Sequence, residues 1–210
     1  MVLSITCIFI CSPIFSQDKA THMNVLLFTT RYGNSRLVIA KLTVALIFPM
    51  MLYLFGLLLI LGIFGFYFGF SGGEGSVQLN LYWQQFSFPN EMNFFQLFLL
   101  LIVYYLIGLL FTMSVTAAIS RLTSTSIASF GLSLGVYFAP LLLYKFLPLN
   151  FLTVFPSISS NVEIMLKEFS KSIFFIKDNF SLNIFINEGI LILLSIVILW
   201  SIYRSFQNKK

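Results

Sequence analysis

FSQDKATHMNVLLFTTRYGNSRLVIAK, from Phe15 to Lys41, is the one long polar stretch in the N-terminal part of the chain, and it separates two apolar runs. It carries Lys19, Arg31, Arg36 and Lys41 against a single acid, Asp18. An excess of cations between apolar runs marks a cytoplasmic loop of a membrane protein. Within the stretch Met23, Leu26, Leu27 and Thr30 recur at helical spacing, which predicts a short amphipathic helix over Thr21 to Thr30. Gly33 and Asn34 break that pattern, and a new helix is expected to start near Ser35. Two readings of the short helix stand side by side. It receives force from a soluble partner, or it only rests on lipid headgroups.

The rest of the composition fits a membrane setting. The chain has 210 residues, of which 59% are hydrophobic and 9% charged. Soluble domains carry about a quarter charged residues. Stretches long enough to cross a bilayer have no charge at all, so the chain is expected to be a polytopic membrane protein. The net charge of +5 forms no basic stripe, and the cations fall at the ends of apolar runs, where they anchor helices; nucleic acid is not an expected partner. Cys7 and Cys11 lie four apart in an apolar run and read as buried or lipid-facing hydrophobes, not as a redox or metal pair.

Met1 to Phe15 lacks the basic start and the small-residue cleavage site of a signal peptide. As a helix it would reach about 22 Å, short of the roughly 30 Å hydrocarbon core, and it reads as the tail of a span whose beginning is missing. The segment 16–43 is expected to form a cytoplasmic coupling loop. Full spans are expected over 44–70, 96–119, 125–145 and 184–203. An interfacial start is expected before the first of these, with a bend near Pro49. Gly65-x-x-x-Gly69 and Gly131-x-x-x-Gly135 offer close helix packing. Serines in 125–145 can bond to preceding carbonyls of their own helix. The outer segment 146–183 contains Ser160-Asn161-Val162-Glu163, a capping box, and then Val162, Met165, Leu166, Phe169 and Ile173 as the stripe of an interfacial helix. The expected fold is all-α, a transmembrane bundle of four full spans and a partial N-terminal helix in a single domain, 1–210. A cytoplasmic amphipathic helix and an outer interfacial helix flank it.

Charge orients this bundle. Loop 16–43, Arg121 and the C-terminal tail carry +7 together, and the opposite side carries −2. Positive-inside then puts the loop and the C-terminus in the cytoplasm.

Catalytic chemistry is poorly supplied. His22 is the single histidine; the chain has no HExxH, no G-x-S-x-G and no G-x-x-x-x-G-K-[ST]. No metal site or cofactor is implied, and no charged residue is expected at the middle of a span. The sequence describes a membrane machine without its own energy source.

The chain resembles the permease subunit of ABC-2 type transporters. Several landmarks carry the resemblance, in order across nearly the whole chain: Phe15-Ser16-Gln17-Asp18, Leu26-Leu27, Thr30-Arg31-Tyr32-Gly33 and Arg36-Leu37-Val38-Ile39-Ala40-Lys41 at the loop; then Gly75-Ser76-Val77-Gln78, Phe88-Pro89 with Met92-Asn93, Ala117-Ala118-Ile119-Ser120, Pro140 and Phe155-Pro156. The chain departs from the family pattern at Asn34, where the family has arginine, and at Gln17-Asp18, where it has glutamate. Six spans are usual in the family, so the resemblance also implies an N-terminal truncation. It implies a bacterial plasma-membrane subunit that moves a substrate with ATP hydrolysed by a separate ABC ATPase. It also implies a second permease subunit or a homodimer, and contact with membrane lipids. The ATPase-coupling residues would be Asp18, Thr21, Met23, Leu26, Leu27, Thr30, Arg31, Gly33 and Arg36. Other classes are a non-catalytic scaffold or immunity-type protein, a non-functional permease fragment, and an integral membrane enzyme, for which the spans offer mainly Ser, Thr and Tyr.

Overall fold

Residues 2–21, 23, 36–69, 72–76, 92–147, 150–161 and 180–207 are described by a computed structural model of the chain. The helices are α1 (Val2–Cys11), α2 (Pro13–Ala20), α3 (Arg36–Phe68), α4 (Phe94–Leu122), α5 (Ser126–Phe146), α6 (Pro156–Ser159) and α7 (Phe180–Gln207). A 3-10 turn, Asn150–Val154, precedes α6. Among the described residues the only strand-like pairing is an isolated bridge between Ser76 and Asn93. Helices α3, α4, α5 and α7 are each long and apolar enough to cross a bilayer. The protein is an all-helical, multi-pass membrane protein.

Helix α4 is the hub of the bundle and touches each of the other described helices. Its sequence explains why. Gly108, Ser114, Thr116, Ala117 and Ser120 are small or compact and lie on its buried face, so neighbours approach closely. At Gly108 a Cβ would lie 3.2 Å from Pro156 Cβ, which seats α6 directly on α4. Buried Ser114 and Thr116 donate to the carbonyls of Leu110 (2.9 Å) and Thr112 (2.8 Å), so their hydroxyls cost the apolar surroundings little. Three apolar clusters line the hub. Cys7, Ile8 and Cys11 meet Leu109, Met113 and Tyr137. Phe15, Val38 and Leu42 meet Ala117 and Ile202. Phe111 meets Val154 and Leu191. By contrast α3 turns much of its surface outward, with Leu58 and Phe66 exposed, as a lipid-facing helix does.

Several helix limits differ from the sequence reading. Ser16–Ala20 belong to α2 and residues 36–43 belong to α3, so the polar connection is shorter than 16–43. Pro13 divides the N-terminal helical run, so that α1 ends at Cys11 and α2 opens at the proline. Its missing amide would have bonded Phe9 O, and Ser12 Oγ donates there instead at 3.0 Å. Pro49 lies inside an uninterrupted α3. The carbonyl it frees, that of Ala45, has Cys11 Sγ at 3.9 Å as a weak donor. Both cysteines are buried free thiols. The α4–α5 turn is closed by Thr125 Oγ1, which accepts from Ala128 N at 3.3 Å. After α3 the chain turns through Gly69 and Gly72, at φ of 70° and 102°, in a region that suits glycine. Gly75 O then accepts from Phe94 N at 3.0 Å, tying that turn to the start of α4.

Ser160 is the C-cap of α6, with its hydroxyl on Ser157 O at 3.0 Å; the capping box it was expected to form with Glu163 lies outside the described residues. Pro156 starts that short helix because its missing amide has no partner to lose at the first position. The expected stripe from Val162 to Ile173 lies outside the described residues. Among the described residues Gly69, Gly131 and Gly135 have nothing within 4 Å of a built Cβ, whereas Gly108 meets Pro156.

Candidate functional site: a polar joint at one end of the bundle

Helix α2 lies across one end of the bundle, and its first turn starts at a proline. The first-turn amides of a helix have no partner within the helix. Ser120, near the end of α4, supplies one: its Oγ accepts from Phe15 N (3.0 Å) and Ser16 N (3.1 Å). The same hydroxyl donates to Ser12 O at 2.6 Å, and Ser16 Oγ donates to Ser12 O at 3.0 Å. Ser12, Ser16 and Ser120 are all buried. A serine from a neighbouring helix thus acts as the N-cap that the proline break requires.

Charged side chains extend the joint outward. Lys41, on α3, donates to Ile14 O at 2.9 Å and pairs with the Asp18 carboxylate. Lys41 Nζ also lies 5.8 Å from the centre of the Phe15 ring. Lys19 reaches the other way and donates to Arg121 O and, at 3.2 Å, to Thr123 O. A cation on the last carbonyls of α4 complements that helix end. Arg121 donates to Ile202 O at 2.9 Å and to Ser205 Oγ, and its guanidinium lies 4.3 Å from the centre of the Phe206 ring. Phe206 in turn packs on Phe15 with ring centres 5.6 Å apart. Helix α2 is therefore tied to α3 through Lys41, to the α4–α5 turn through Lys19 and Ser120, and to α7 through Phe15.

Of the coupling residues expected from the sequence, Asp18 lies in this joint, paired with Lys41. Thr21 closes α2, with its hydroxyl on Gln17 O at 2.9 Å. Met23 is exposed and Arg36 opens α3. Leu26, Leu27, Thr30, Arg31 and Gly33 lie outside the described residues. The sequence reading missed Ser12, Ser16 and Ser120 as a unit. The one available signal was a serine pair four apart straddling Pro13.

A second polar group lies toward the opposite end. Asn187 Nδ2 donates to Tyr104 Oη at 2.8 Å, and both residues are buried. Because α7 begins at Phe180, Glu188 lies two turns inside the helix and not at its start, and it is 7% exposed. The span expected over 184–203 therefore begins earlier, and Glu188 lies in its first third. Polar side chains Asn183 and Asn187 precede it on the buried face, which lets the helix begin earlier than hydropathy suggests.

No protein-family model matches the chain, and neither does any curated protein or solved structure.

Proposed function

We propose that the chain is the membrane-spanning subunit of an ABC transporter of the ABC-2 type, driven by a separate ATPase. The observation that carries this reading is the polar joint. It makes α2, the ends of α3 and α4, and the C-terminal end of α7 one connected body. The segment 21–35, which leaves that body, carries Leu26 and Leu27 on its apolar stripe, beside Arg31. A push on the segment passes through Asp18–Lys41 and Lys19–Arg121 into the spans. ATP must favour one arrangement over the other for the push to do work. Lys19, Arg36, Lys41, Arg121 and Arg204 gather at this end, which supports a cytoplasmic position for it in a bacterial plasma membrane. The chain has no phosphate-binding loop, so the nucleotide belongs to the partner. A second permease, identical or related, completes the pathway.

The test is co-purification with the P-loop ATPase of a neighbouring gene. Burying a leucine in a partner groove contributes roughly 1.5–3 kcal/mol. Leu26→Asp with Leu27→Asp is expected to release the ATPase while the chain stays in the membrane. Equal recovery with both forms would refute the docking site. Failure of the unsubstituted chain to retain any ATPase would favour a scaffold that binds without transport.

A further inference from the structure

We propose that a half-open cavity lined by α1, α4, α5 and α6 is a binding site for an uncharged, ring-sized amphiphile bearing a hydroxyl or carbonyl oxygen. The cavity has a volume of about 170 Å³. Its walls are Ile8, Phe111, Val115, Val136, Pro140 and Phe155. Five polar side chains also line it: Thr112, Thr116, Ser133, Tyr137 and Ser157. All are more than nine-tenths buried. The two threonines donate to Leu109 O and Thr112 O, whereas the hydroxyls of Ser133, Tyr137 and Ser157 have no hydrogen-bond partner among the described residues.

Most buried hydroxyls of the chain are paired; Ser129, outside the cavity, is the other exception among the described residues. Buried Ser114, Thr116 and Ser195 all bond to a carbonyl one turn back. Serines of the 125–145 span were expected to do the same. Ser133 does not, although its helix offers the carbonyl of Ser129 one turn earlier. Ser133 and Tyr137 are four apart, so α5 presents them on one face, and Ser157 comes from α6. A lone unpaired hydroxyl in an apolar interior is a defect. Three around one cavity form a recognition set, because each hydroxyl both donates and accepts.

Size and charge narrow the ligand. A cavity of about 150 Å³ lined by apolar side chains accommodates benzene, so this one holds a single ring with a small polar group. Among the described residues no charged side chain lines it, and an ion or zwitterion would enter a low-dielectric space without a counter-charge. Val136, at its edge, is 49% exposed on the outer surface of the bundle, which gives an apolar ligand a route from the lipid phase. The site rests on the cavity alone and does not depend on coupling to an ATPase.

The test uses the full chain in phosphatidylcholine nanodiscs with para-fluorophenol, read by fluorine NMR line broadening against empty nanodiscs. Saturable broadening is expected with the unsubstituted protein. The pair Ser133→Ala and Tyr137→Phe should weaken it by about tenfold, as expected for the loss of one or two hydrogen bonds. Para-fluorotoluene, which lacks the hydroxyl, should bind more weakly than the phenol. The thermal midpoint of the pair should not fall, because the removed hydroxyls have no protein partner. No saturable component would overturn the proposal, as would equal binding by the variant or by the toluene. A variant midpoint lower by several degrees would show that the hydroxyls serve the fold, and would overturn it too.

Discussion

Ser120 closes the break that Pro13 opens, with one hydroxyl serving two amides and a carbonyl of α2's first turn. Removing it strands buried backbone groups away from water, which costs about 1–3 kcal/mol. Ser114 makes only a bond within its own helix, and its loss is expected to cost under about 1 kcal/mol. Ser120→Ala should therefore unfold at a clearly lower temperature than Ser114→Ala in the same detergent, and equal midpoints would contradict the capping role. At this scale the sequence is only partly legible. Asp18 and Lys41 announce themselves by charge, but nothing near Ser120 names a partner 104 residues away. Serine is equally at home bonding its own helix, and only the packed structure distinguishes Ser120, Ser133 and Ser114.

Element identity was easier to read than element limits. The four spans follow from uncharged apolar runs, and the structure has a helix at each. Their ends moved because polar residues that would stop a helix in water find partners here. Ser16 bonds back to Ser12 O, Lys41 to Ile14 O, and α7 starts before hydropathy rises. The close approach at Gly108 was missed for a related reason. A glycine pair four apart is visible in one sequence segment, whereas Gly108 matters because Pro156 arrives from a different element. Gly108→Val should push α6 off α4 and cost on the order of 1–3 kcal/mol. Gly131→Val, placed where nothing lies within 4 Å, should leave the folded chain nearly as stable. Thermal unfolding of the two variants checks the contrast; a larger loss at Gly131 would contradict it.

The whole molecule is a bundle with two unlike ends. One gathers Lys19, Arg36, Lys41, Arg121 and Arg204, and the other has Glu74 in the turn after α3 and Lys145 near the end of α5. Charge separation of this kind orients a multi-pass chain. Thiol labelling of Ser76→Cys and Lys209→Cys with a membrane-impermeant reagent is expected to modify the first from outside the cell and the second only after the membrane is opened. Cys7 and Cys11 are buried and add little background. The opposite pattern would contradict the proposed cytoplasmic position of the joint.

Transmission through the joint is the centre of the functional account, and ATP hydrolysis by the co-reconstituted complex measures it. The unsubstituted chain is expected to change the turnover of the proposed ATPase partner in proteoliposomes. Lys19→Met combined with Lys41→Met, which removes the charged links of α2 to the α4–α5 turn and to α3, should keep the ATPase bound and return its turnover toward that of the ATPase alone. Turnover that ignores the membrane subunit, or a double variant that couples as well as the unsubstituted chain, would contradict the account.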